Sequence, residues 1–118
     1  MLEHLTLETF KEKIMDFETD KENWKFKGEL PAIVKFTAGW CNPCKVLTPI
    51  LLDVSYEYNK RINIYEIDVD EESELASMFG IRSVPTMLFC PMTGEPTMTS
   101  GVLPKTTIVK TIESVFEI

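Results

Sequence analysis

The sequence is short of cysteine, with three in 118 residues. That number is too few, and odd, for a secreted disulfide scaffold, and a chain of this length builds a core without such staples. Cations are also scarce: 12 Lys and Arg against 19 Asp and Glu leave a net charge of -7. Such a balance excludes the clustered basic surface that phosphate backbones require, so no nucleic-acid partner is expected. No run of about 18 apolar residues occurs, and no membrane-spanning helix is expected. The opening "MLEHLTLETFKEKIMDFETD" mixes charged and apolar residues and lacks the apolar core of a secretory leader. A cytoplasmic address follows if Met1 is the native start, although a chain already trimmed of a periplasmic leader would read the same. Repeats, low-complexity tracts and linker-like stretches are missing too, so one domain over residues 1–118 is expected. What remains, 44% hydrophobic and 26% charged, is ordinary for a soluble globular protein.

Helical and extended patterns alternate along the chain. Leu7, Phe10, Ile14 and Phe17 recur at helical spacing behind Thr6, a natural N-cap, with Glu8 in the first turn. The polar stretch "ETDKENWKFKGEL" at 18–30 reads as a loop holding one edge strand around Trp24 and Phe26. "AIVKFTA" at 32–38 has the continuous apolar character of a parallel-sheet strand. A long helix is predicted from about 43 to 59, with Val46, Leu47, Ile50, Leu51, Val54 and Tyr58 inward, Pro43 in the first turn and a kink at Pro49. "RINIYEIDV" at 61–69 is a strand, and Asp70 is placed to cap a short helix ending at Gly80. "TMLFC" at 86–90 and residues 97–100 form two strands joined by the turn "PMTGEP". A last helix starts near Pro104 and buries Ile108, Ile112, Val115 and Phe116. The order implies an α/β sheet with an antiparallel edge.

Cys41-Asn42-Pro43-Cys44 carries the chemistry. The first thiol falls at a helix N-terminus, where unpaired N–H groups and the helix dipole favour a thiolate. Such placement lowers a cysteine pKa from about 8.5 into the range of about 3.5–7.5. Cys44 follows one turn later, within bonding reach, and suits a two-step exchange: Cys41 attacks a target disulfide and Cys44 resolves the mixed disulfide. The competing reading is half of a zinc site. Closing a tetrahedral site takes two further ligands, and Cys90 and His4, which lack ligand spacing, are the only other Cys and His. Two inert buried cysteines are the third possibility.

"WCNPCKVLTPIL" resembles the active-site signature of the thioredoxin family, and "FGIRSVPT" and "SGVLPK" resemble its cis-proline loop and late glycine turn. The resemblance implies the thioredoxin fold, a central mixed β-sheet of four or five strands flanked by about four helices. It also implies a redox-active Cys41–Cys44 disulfide, no other cofactor and no metal, protein disulfides as substrates, a flavoprotein reductase as electron donor, and a monomer. Val84–Pro85 should be a cis peptide facing the cysteines and offering Val84 backbone to an extended substrate. An ordinary trans proline opening a strand is the alternative. Trp40, Val84, Pro85 and Gly101 should form an apolar rim around Cys41, although Trp40 would also suit a core position and Gly101 a simple turn.

Two departures from the family pattern stand out. Asn42 replaces the usual glycine between the cysteines, while Pro43 is kept and points to a reducing potential. Lys35 stands where the family typically has a buried Asp that serves proton transfer, and Glu66 stands where members often carry a lysine. An unpaired buried lysine is costly, and strand parity puts Ile33, Lys35 and Thr37 on one face and Ile62, Ile64 and Glu66 on one face of the neighbouring strand. The expectation is an exchanged ion pair behind Cys44, with Glu66 through water, or a neutral Lys35, moving the proton. The alternative has Lys35 snorkelling outward and Glu66 in solvent. Cys90 ends an apolar strand, as a small hydrophobe or a regulatory thiol, and His4 reads as exposed. The leading function is protein-disulfide reduction. Its rivals are a more oxidising oxidase or isomerase, and a binding or holdase module with vestigial cysteines.

Overall fold

The three most apolar strand segments lie side by side at the centre of one sheet. In chain order the elements are β1 (Glu3–His4), α1 (Leu7–Lys13), β2 (Ala32–Thr37), α2 (Asn42–Glu57), β3 (Asn63–Asp68), α3 (Ser73–Met78), β4 (Thr86–Cys90), β5 (Thr97–Ser100) and α4 (Lys105–Phe116). The structure, a computed structural model, describes residues 2–19 and 23–118. The sheet runs β1-β3-β2-β4-β5. β1, β3 and β2 are parallel, β4 is antiparallel to β2, and β5 is antiparallel to β4. This is the thioredoxin fold expected from the sequence, with five mixed strands and four helices among the described residues.

Period-two alternation divides the core between the two faces of the sheet. On one face Ile33, Ile64, Met87 and Phe89 meet Leu47, Leu51 and Val54 of α2 and Ile108 and Ile112 of α4. On the other, Val34, Phe36, Ile67 and Leu88 meet Phe10 and Ile14 of the α1 segment and Leu75 of α3. The Phe79 ring links Phe10, Trp24 and Phe36 there, with centroids 5.6, 6.3 and 5.7 Å away.

Several local expectations need correcting. No strand forms at Trp24 and Phe26; both pack against the α1/α3 face, and residues 20–22 of that stretch lie outside the described residues. The edge strand is β1, two residues long, which pairs Glu3 with Tyr65 and His4 with Glu66. So short a strand has no periodicity to detect and is defined only by its partner. Thr6 does cap α1, in a reciprocal box with Thr9. Asp70 caps nothing: α3 starts after Glu72 and has no side-chain cap. Val46 is exposed, and Cys44 takes its place inward, because positions 44, 47, 51 and 54 share a helix face whose centre lies about 120° from 46. Val115 is only partly buried beside Ile108, Ile112 and Phe116. α2 carries Pro49 inside its span, as expected.

Candidate active site

The turn from β2 into α2 delivers both cysteines. The Cys41 N–H donates to the Ala38 carbonyl at 3.1 Å, closing the turn, and Cys41 becomes the N-cap of α2. Its Sγ takes the cap acceptor's place, receiving the Cys44 N–H at 3.1 Å. Asn42 and Pro43 occupy the exposed first turn, where proline's missing donor costs nothing. Cys41 and Cys44 are joined as a disulfide. Accessibility hardly separates them, at 3% and 1% exposed. Their surroundings do: Cys41 Sγ lies against the carbonyl of Val84, a residue that lines an open groove, while the Cys44 carbonyl faces the buried Lys35.

That groove holds about 110 Å³ and is lined by Trp40, Val69, Ile81, Arg82, Ser83 and Val84. Val84 precedes Pro85 through a cis peptide, and its carbonyl lies 3.6 Å from Cys41 Sγ. Trp40 is 68% exposed, and its indole N–H donates to Asp70 at 2.9 Å. Asp70 is therefore a residue that sequence reasoning misplaced: it holds the tryptophan beside the groove. Of the four expected rim residues, Trp40 and Val84 line the groove and the other two do not. Pro85 is buried behind Val84, and Gly101 braces it, its N–H donating to the Pro85 carbonyl at 2.8 Å. Gly101 holds φ of +84°, where a side chain is disfavoured although space is open around it. Ile81, Arg82 and Ser83 were legible as neighbours of Val84 in "FGIRSVPT"; Val69, at the end of β3, had no such signal.

Behind the disulfide lies the charge pair. Lys35 and Glu66 are directly opposite one another in the parallel β2–β3 register, and Nζ lies 3.2 Å from Glu66 Oε2. Lys35 is 1% exposed, so it does not snorkel. Its Nζ also donates to the Cys44 carbonyl at 3.0 Å and to Thr48 Oγ1 at 2.6 Å. An ammonium has three N–H donors, and all three have acceptors, one of them charged. A carbonyl, a hydroxyl and a carboxylate thus meet the buried Nζ and offset the cost of taking it out of water. Glu66 is buried as well.

The remaining candidates fall elsewhere. Cys90 is a free, fully buried thiol that pairs in register with Ala32, at the opposite end of β2 from the cysteine turn. Burial pushes its pKa well up, which keeps it protonated and unreactive. His4 Nε2 lies 3.6 Å from Glu66 Oε1. Among the described residues, no group of three or more His, Cys, Asp or Glu is arranged to hold a metal ion. Nor, among them, is any helix long and apolar enough to cross a membrane.

Comparison with known proteins agrees with this geometry. The thioredoxin family model matches residues 2–114. The thioredoxin of Borreliella burgdorferi is 41% identical over 112 residues, covering 95% of each chain. A thioredoxin of Synechocystis is 33% identical over 105 residues, covering 89% of this chain and 88% of its own. A solved structure of chloroplastic thioredoxin z superposes with a TM-score of 0.79 at 26% identity, covering 99% of this chain and 96% of the other. With a helix-capping cysteine pair inside the matched region, the chain belongs to the thioredoxin family and is a dithiol–disulfide oxidoreductase.

Proposed function

We propose that the protein reduces protein disulfides, with Cys41 as nucleophile and Cys44 as resolving thiol. The observation that carries this reading is the Cys44 N–H aimed at Cys41 Sγ at the start of a 16-residue helix. In the reduced protein the same donor and the helix dipole stabilise a Cys41 thiolate. The thiolate attacks a substrate disulfide, forming a mixed disulfide and releasing one substrate thiolate, which takes up a proton. Cys44 then loses its proton and attacks Cys41 Sγ. The second substrate thiol leaves, and two electrons have passed from the dithiol to the substrate.

Trp40 and Val84 hold the substrate segment in the groove, Pro85 and Gly101 shape the wall behind it, and Asn42 and Pro43 set the approach of the helix terminus. Lys35 favours the thiolate form through its charge, and Glu66 accepts the Cys44 proton through water. No cofactor or metal takes part beyond the disulfide itself. A flavoprotein reductase returns the two electrons, and the protein works as a monomer in a reducing, cytoplasmic compartment.

Insulin disulfide reduction driven by dithiothreitol tests the reading. The expected result is acceleration well above the thiol blank, lost completely in Cys41→Ser; a rate equal to the blank would leave only a binding module. Equilibration with glutathione should place the couple on the reducing side, and a poise like that of an oxidase or isomerase would reverse the direction proposed.

A further inference from the structure

Glu66 is approached by a second base that the reaction above leaves unused. Its Oε2 faces Lys35, while Oε1 faces His4 Nε2 at 3.6 Å. His4 is not on a loose tail. It pairs in register with Glu66, and the Leu5 N–H donates to the Glu66 carbonyl at 2.8 Å. Leu2 and Leu5, on either side, are buried in opposite faces of the core. The side chain is nevertheless 58% exposed, against 12% for Glu66 and 1% for Lys35. His4, Glu66 and Lys35 thus form a line from solvent to the Cys44 carbonyl.

We infer that His4 is a positioning residue for Cys44: its charge state governs Glu66 as proton acceptor and makes the resolving step pH-dependent. This rests on the resolving role proposed for Cys44. Neutral imidazole leaves Glu66 paired with Lys35 alone and able to take the thiol proton. Imidazolium places a second cation on the same carboxylate and weakens it as a base. Histidine is the side chain whose ordinary titration spans the range of about pH 5–8. Among the described residues, no other titratable group is placed to give the same signal. On β2 the same face carries Lys35, and on β3 it carries Glu66 and then Asp68, whose carboxylate accepts the Asp70 and Glu71 N–H groups in the turn beyond. α2 supplies Cys44 and the non-titrating Thr48, and the β4 residue opposite Lys35 is Met87. Glu3, Lys13 and Tyr65 interact on the opposite face of the sheet.

The test separates the two thiols. A symmetrical nitrobenzoate disulfide mixed with reduced protein releases one coloured thiolate on attack by Cys41 and a second on resolution by Cys44. The second phase is followed in stopped flow against pH. Below about pH 5.5 it should run about two- to fivefold faster in His4→Gln than in the wild type, the two converging above about pH 8. His4→Lys should stay slow across the range, and His4→Gln should add nothing in a Glu66→Gln background. Thermal melts of the variants, with His4 largely exposed, should match the wild type. Coincident profiles for wild type and His4→Gln would overturn the inference for His4 alone. Absence of any second release would instead overturn the resolving role of Cys44, and this inference with it.

Discussion

On one face of β2, Val34 and Phe36 lie buried in an apolar cluster with Phe10, Leu75 and Phe79; on the other, Lys35 is equally buried and holds Glu66, Thr48 and the Cys44 carbonyl. Each face buries titratable groups. Cys90 on the aromatic face has no ionic partner among the described residues and is held neutral by burial, whereas Lys35 has three acceptors. Equal burial therefore has opposite meanings. The aromatic face supplies stability, and the charged face gives up some stability to keep ionisable groups next to a reactive dithiol. Replacing a buried ion pair by apolar residues is often neutral or stabilising, which makes such a pair weak evidence for stability and better evidence for chemistry.

The largest effect that would sharpen this contrast is on the aromatic face. Phe10→Ala should lower the unfolding free energy by about 3–5 kcal/mol through lost burial and the cavity left beside Phe79. Disulfide exchange should be unchanged wherever the protein stays folded. Urea melts and insulin turnover measured together check both halves. On the charged face, Glu66→Leu should cost about 3 kcal/mol, because it leaves the fully buried Lys35 ammonium short of an anion. Lys35→Met with Glu66→Leu should recover most of that stability and still resolve mixed disulfides slowly. If the double variant were both stable and fast, the pair would be structural only.

The smallest effect concerns Cys90. Its folded pKa is raised, so the folded state keeps the proton that the unfolded chain loses above about pH 8.5. The unfolded state then binds fewer protons, and stability falls as pH rises, by up to about 1.4 kcal/mol per unit from this one group. The stabilisation is fully present below the unfolded pKa. Cys90→Ala should flatten the decline between about pH 8.5 and 10 in urea melts without changing turnover at neutral pH. An unchanged slope would mean that some other group sets the alkaline limb.

Much of the molecule was legible in residue order. Cys41 and Cys44 at one-turn spacing, with Pro43 between them and an apolar strand before, defined the dithiol. "TMLFC" and residues 97–100 marked β4 and β5 to the residue. The family resemblance singled out Lys35 and Glu66 as an exchanged pair, and parity on two strands supported their meeting. The missed features share one physical cause: they depend on contacts distant in the chain. Asp70 looked like a cap because a helical pattern begins a few residues after it, and nothing local shows that Trp40, 30 residues earlier, reaches it. β1 is too short to announce itself. Gly101 was expected on the rim, and only the fold shows that its N–H instead supports Pro85 from behind.

The sequence by itself determined the reactive pair, the layer order and the presence of an unusual buried charge, because these arise from local geometry and from repeating periodicity. Tertiary structure alone decided the state and company of that charge. Three acceptors from α2 and β3 converge on Lys35 Nζ, and β1, pairing at the edge of β3, brings His4 to the other oxygen of Glu66. Whether a buried group is charged depends on everything that surrounds it, and no stretch of chain contains its own surroundings.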